Sequence, residues 1–121
     1  MKSEPLPPTL PIANYCFQSE EVGAVVREIA SRFSPERVIL FGSRANGTAT
    51  ADSDADLLVV MDHEAHPALK AAEIRRTLRA PFGIDLIVRS KRKLEERMRL
   101  GDPFISEILS SGVTLYEASR A

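Results

Sequence analysis

The sequence predicts a single α/β (α+β) domain, a small sheet with helices packed on it. Three observations point there. Apolar residues recur at helical spacing from Val22 to Phe33. Three short runs, Arg37–Phe41, Ala55–Met61 and Ile84–Val88, are largely apolar, and Ala55–Met61 is apolar on both faces, as a central strand of a covered sheet is. Helical patterns alternate with these runs. At 121 residues the chain is one domain, with an apolar fraction of 44% and a charged fraction of 27%.

Residues 1–18 hold four of the eight prolines and no periodicity, and read as an extended N-terminal arm. The domain is expected over residues 19–117, with 118–121 as a tail. Ser19 can cap a first helix, and Glu20 and Glu21 place negative charge in its first turn. Val22, Val25, Val26, Ile29 and Phe33 line one face, and Ser34-Pro35 ends it. Arg37-Val38-Ile39-Leu40-Phe41 is a buried strand ahead of Gly42. A loop follows, with no helical pattern between the two apolar runs. Ala55 to Met61 is a central strand, and 62–66 a turn. Pro67 opens a helix to about Arg79, burying Ala71, Ile74 and Leu78. Pro81-Phe82-Gly83 breaks it before the strand at Ile84, which is apolar except for Asp85. Ser90 caps a basic helix holding Leu94 and Met98. Gly101-Asp102-Pro103 stops that helix and starts another, with Phe104, Ile105, Ile108 and Leu109 on one face. Gly112 ends it, and Val113–Tyr116 forms a small edge strand.

Composition narrows the function. No apolar stretch approaches the roughly 20 residues that span a bilayer. The N-terminus lacks the apolar core of a signal peptide, so a cytoplasmic protein is expected. One cysteine, Cys16, excludes an internal disulfide and a cysteine-based zinc site. The net charge of −1 hides an asymmetry: five acidic residues against one arginine from Arg44 to Glu64, then ten basic against four acidic from Lys70 to Arg99. The basic window reads as solvated helix faces, or as a rim facing an anionic ligand or acidic partner. It carries no interleaved aromatics, so direct nucleic-acid binding by stacking is not expected.

The chemistry concentrates between Phe41 and Val60. Gly42 lets backbone approach a polyphosphate, the Ser43 hydroxyl can donate to its oxygens, and Arg44 can add charge-assisted contacts. No Gly-Lys-Ser/Thr follows, so this is not a Walker A loop. Ten residues on, Asp54 and Asp56 project from one face at the mouth of a strand. Two such carboxylates repel unless a cation sits between them, and magnesium favours a few carboxylates plus substrate phosphates. Asp85 is the third candidate ligand, since an unpaired carboxylate is costly inside an apolar strand. Three carboxylates on adjacent strands can hold two metal ions for an in-line phosphoryl displacement. His63, Glu64 and His66 lack metal-site spacing and fall in a turn.

Gly42-Ser43, ten residues, Asp54-x-Asp56 and a lone strand aspartate at Asp85 form a pattern that resembles the DNA polymerase β-like nucleotidyltransferase superfamily. Over about Ser19 to Glu117 the chain resembles its minimal nucleotidyltransferase (MNT) branch, the antitoxin half of HEPN/MNT toxin–antitoxin pairs. The resemblance implies a polymerase β-like fold with a small mixed sheet. It implies two Mg2+ ions on Asp54 and Asp56, with Asp85 on the catalytic metal and aiding deprotonation of the acceptor, and the ATP triphosphate held by Gly42 and Ser43. It implies AMP transfer to a tyrosine hydroxyl of a HEPN ribonuclease toxin bound in a complex. Many relatives carry a second arginine where this chain has Asn46. Two other readings stay open: a non-catalytic antitoxin that neutralises by binding, and transfer to a small molecule or RNA end.

Overall fold

The structure, a computed structural model, describes residues 20–50 and 52–118. The expected arm, the Ser19 cap and Cys16 lie outside the described residues, as do 119–121 of the expected tail.

The described chain runs α1 (Glu20–Phe33), β1 (Arg37–Phe41), α2 (Ser43–Asn46), β2 (Ala55–Val60), α3 (Pro67–Arg76), β3 (Ile84–Arg89), α4 (Lys91–Arg99), α5 (Pro103–Ser111) and β4 (Val113–Glu117). The strands form a mixed sheet in the order β3-β2-β1-β4. β1 is antiparallel to both β2 and β4. β2 and β3 are parallel, with α3 as the crossover that such a pair requires.

Alternation along the two central strands divides the core. Val38, Leu40, Leu57 and Val59 pack with Val22, Val25, Val26 and Ile29 of α1 and Ile74 of α3. Ile39, Leu58 and Val60 pack with Leu94 of α4 and with Ile105 and Ile108 of α5. Both sheet faces are therefore covered, which is why these strands read as continuous apolar runs.

The helices start where local chemistry directs. His66 accepts the Ala68 N–H ahead of Pro67, and Ser90 accepts that of Lys93. Asp102 takes the N–H groups of Phe104 and Ile105 and pairs with Arg97 at 2.9 Å. The Ile105 N–H and the Arg97 hydrogen bond hold the Asp102 carboxyl below its ordinary range.

Four expectations need correction. The stretch after Gly42 is not all loop, because Ser43–Asn46 form one helical turn closed by Gly47 in the left-handed conformation. α3 ends at Arg76 rather than near Arg79, since the Thr77 hydroxyl bonds the Ile74 carbonyl at 2.8 Å. Met98 and Phe104 are 41% and 51% exposed, beyond the stripes that Leu94, Ile105 and Ile108 bury. Asp85 is exposed rather than buried, because β3 is an edge strand.

Ile29 is fully buried and Leu69 is 65% exposed. In urea unfolding, Ile29→Ala should cost about 3 kcal/mol, whereas Leu69→Ala should fall within about 0.5 kcal/mol of the parent.

Candidate active site

The site forms where β1 ends and where β2 and β3 begin. Gly42, at φ 77° and ψ −154°, occupies a region of backbone space that is essentially reserved for glycine. It turns the chain out of β1 into α2, whose Ala45 and Asn46 N–H groups bond the Gly42 carbonyl. Register brings this turn to the carboxylates, because Phe41 stands opposite Asp56 across the antiparallel pair. A Cβ on Gly42 would run into Asp56 Oδ2 and lie 3.1 Å from Cγ. The glycine backbone therefore rests directly against the carboxylate.

Asp54 sits just outside β2, exposed, and packs against a second glycine. A Cβ on Gly83 would lie 2.5 Å from Asp54 Oδ1. The Gly83 carbonyl accepts the Ala55 N–H at 2.9 Å, which ties the start of β2 to the approach of β3. Two residues on, Asp85 is the direct neighbour of Asp56 in the parallel ladder. Neighbouring strands are about 4.8 Å apart, so the two carboxylates leave adjacent backbones on the same face.

The electrostatics follow from that placement. Partial burial, then the negative charges of Asp85 and Asp54, push the Asp56 carboxyl above its ordinary range. The side chains do not yet converge: among the described residues no three acidic, His or Cys side chains form a ready ligand cluster. The donor set fits magnesium, which takes a few carboxylate oxygens and completes its shell with water and phosphate.

Arg44 departs from the expectation. It is 5% exposed, and its Nε and Nη2 donate to the Ser53 carbonyl at 3.1 and 2.8 Å. Its guanidinium lies 4.3 Å from the centre of the Phe82 ring. Ser53 immediately precedes Asp54 and Phe82 immediately precedes Gly83. Arg44 thus joins the two approaches to the carboxylates, through Ser53 before Asp54 and Phe82 before Gly83. Asn46 turns back on its own loop, its Oδ1 accepting from the Thr48 N–H and hydroxyl.

Sequence reasoning missed Ser53, Phe82 and Gly83. Pro81-Phe82-Gly83 carries an ordinary helix-breaking signal, which hides its second use. The imidazoles of His63 and His66 make local bonds to Ala65 and Ala68, beyond the opposite end of β2.

A family model described as a nucleotidyltransferase domain matches residues 23–115, from within α1 to within β4. The chain belongs to that family. Nucleotidyltransferases use a nucleoside triphosphate and a divalent metal, in keeping with a carboxylate group beside a glycine turn. A solved structure from Sulfolobus solfataricus, itself provisionally assigned as a nucleotidyltransferase, is similar with a TM-score of 0.58 and 25% identity. The match covers 81% of this chain and 78% of that one. The protein adenylyltransferase MntA of Thermococcus cleftensis is 36% identical over 81 residues, covering 61% of this chain and 80% of that protein.

Gly42→Ala should displace Asp56 and abolish nucleotidyl transfer. Gly47→Ala, also at positive φ but with nothing within 4 Å of its Cβ, should cost only about 1–2 kcal/mol and leave turnover near normal. Thermal melts paired with turnover assays separate the two.

The raised Asp56 pKa carries a stability sign. The unfolded chain releases this proton more readily, so ionisation disfavours the fold as pH rises from the unfolded pKa through the folded one. Without divalent ions, Asp56→Asn should melt higher than the parent at pH 7, and the difference should vanish in acid below the unfolded value. Added magnesium should raise the parent's Tm and leave that of Asp56→Asn unmoved.

Proposed function

We propose that this chain is a magnesium-dependent protein adenylyltransferase that moves AMP from ATP to a tyrosine hydroxyl of a cognate HEPN ribonuclease toxin, and so acts as its antitoxin in the cytoplasm. The observation that carries the reading is the parallel register of Asp56 and Asp85 beside the Gly42 turn. It sets an anionic pair against a backbone that can approach a triphosphate. The similarity to a protein adenylyltransferase supports a protein as acceptor.

Gly42 and Ser43 hold the triphosphate, the former by close backbone approach and the latter through its hydroxyl. Asp54 and Asp56 would hold two magnesium ions, and Asp85 would bind the catalytic one. When bound, these ions neutralise the phosphate oxygens and favour in-line displacement. The tyrosine oxygen attacks the α-phosphorus, the bond from that phosphorus to the bridging oxygen breaks, and pyrophosphate leaves. Asp85 takes the hydroxyl proton as the new bond forms. Arg44 keeps Asp54 in place by holding the Ser53 carbonyl.

The site is open. Asp54 and Asp85 are exposed, and cavities of about 570 and 610 Å³ are lined by residues at the other end of the sheet. An open carboxylate group suits an acceptor delivered on the surface of another protein, which completes the pocket. A chain that neutralised its partner only by covering it would gain nothing from three repelling carboxylates.

The test incubates both proteins with labelled ATP and magnesium. Label should appear on the partner's tyrosine and fall about 10³-fold with Asp54→Asn/Asp56→Asn, as expected for losing several kcal/mol of metal stabilisation. An unlabelled partner that the double variant still neutralises would establish steric blocking instead. Label on RNA ends or a small molecule would move the acceptor class.

A further inference from the structure

Two features that nucleotidyl transfer does not use meet at the far end of the sheet. One is the basic window of the sequence, the other the histidine turn after β2. A cavity of about 610 Å³ is lined there by His63, His66, Arg89, Ser90, Arg92 and Lys93. These come from three separate segments: the turn that leads into α3, the end of β3 and the first turn of α4. The cavity is also lined by one carboxylate, Glu96, which lies 3.4 Å from Lys93 Nζ and offsets that cation. Arg89 and Arg92 then line the cavity with no further carboxylate on its wall among the described residues. The first turn of α4 holds Lys91, Arg92 and Lys93 and no acidic residue, the reverse of what the helix dipole favours.

We propose that this cavity binds a small polyphosphate anion, either inorganic or the phosphate tail of a nucleotide, at a site separate from the aspartates. The donors suit it. Arg89 spends one N–H on the Val88 carbonyl and keeps the rest of its fork. His66 Nδ1 accepts the Ala68 N–H, so its ring proton sits on Nε2 and can be donated. The Ser90 oxygen accepts from the Lys93 N–H, which leaves its hydroxyl proton to give. Arginine forks and hydroxyls drawn from three segments to one depression match the oxygens of linked phosphates.

Size and lining narrow the class. The volume falls within the range of small-molecule sites, far above what one phosphate fills. No Phe, Tyr or Trp lines it among the described residues, so the phosphates rather than a base would be recognised. The donors come from three segments and line one open depression without aromatic platforms for stacking bases, which favours a phosphate chain over a nucleic-acid strand. From Asp85 to Arg89 is four residues of β3, about 13 Å. The cavity is therefore distinct from the catalytic end, and it stands whether or not the acceptor is a protein.

The experiment uses the full chain without divalent metal, titrated with tripolyphosphate at fixed ionic strength. Amide shifts in nitrogen-15 spectra locate the ligand and calorimetry measures its affinity. Saturable shifts should centre on His63–His66 and Arg89–Lys93. Arg92→Gln and Arg89→Gln should each weaken binding about tenfold, the worth of one charge-assisted contact. Arg75→Gln, an exposed cation of α3 outside the cavity, should change it less than about twofold. Asp56→Asn should bind as the parent does, which keeps this result independent of nucleotidyl transfer. Shifts confined to Gly42–Asn46 would overturn the proposal, as would AMP binding as tightly as tripolyphosphate. Tighter binding of a poly-glutamate peptide or an oligonucleotide of equal charge would overturn it in favour of a macromolecular docking surface. Because Arg92 is exposed, its variant should fold normally and the outcome can be read even if Arg89→Gln does not.

Discussion

The structure depends on one electrostatic constraint: Asp56 and Asp85 stand side by side in a parallel ladder, with Asp54 close enough to add its charge. A fold that served only packing would separate them. Here the sheet is arranged to keep them together. The α3 crossover makes β2 and β3 parallel, and register leaves both carboxylates near the strand starts. The apolar remainder of each strand anchors into the two cores. Repulsion at one end is thus offset by burial along the rest of the strands, chiefly through Leu57, Leu58, Val59 and Val60.

The constraint also explains which side chains are fastened and which are left open. Arg44, the single positive charge near the site in sequence, is drawn beneath the loop and stacked on Phe82 rather than set among the carboxylates. An arginine lying between Asp56 and Asp85 would satisfy them and compete with any cation. Held by the Ser53 carbonyl and the Phe82 ring, it ties together the backbone on either side of the site. Ser53 is held by that one side chain and by its hydroxyl, which accepts the Thr50 N–H.

Much of this was legible in the sequence because strong local signals agreed. Helical spacing from Val22 to Phe33, Pro67 at a helix start, Ser90 and Asp102 as caps and the three apolar runs all mark elements whose local preference and burial coincide. Asp54, Asp56 and Asp85 stand out because a carboxylate in an apolar run has a cost. The exposure of Asp85 did not show, since edge or central position depends on strand order, which is a property of the whole sheet. The turn at Ser43–Asn46 escaped notice because four residues are too few to display a period. The burial of Arg44 was hidden for a related reason: Phe82, which its guanidinium stacks on, lies far along the chain.

Gly42 and Gly83 hold a kind of memory. Each is kept bare by the carboxylate lying against it, Asp56 for the first and Asp54 for the second. At Gly83, where φ is not positive, the aspartate is the principal bar to a side chain. A lineage that gave up catalysis and shortened Asp54 would lift that bar, and ordinary residues could drift into the position. A side chain at Gly83 therefore requires the Asp54 carboxylate to move, so the two positions are coupled through one contact.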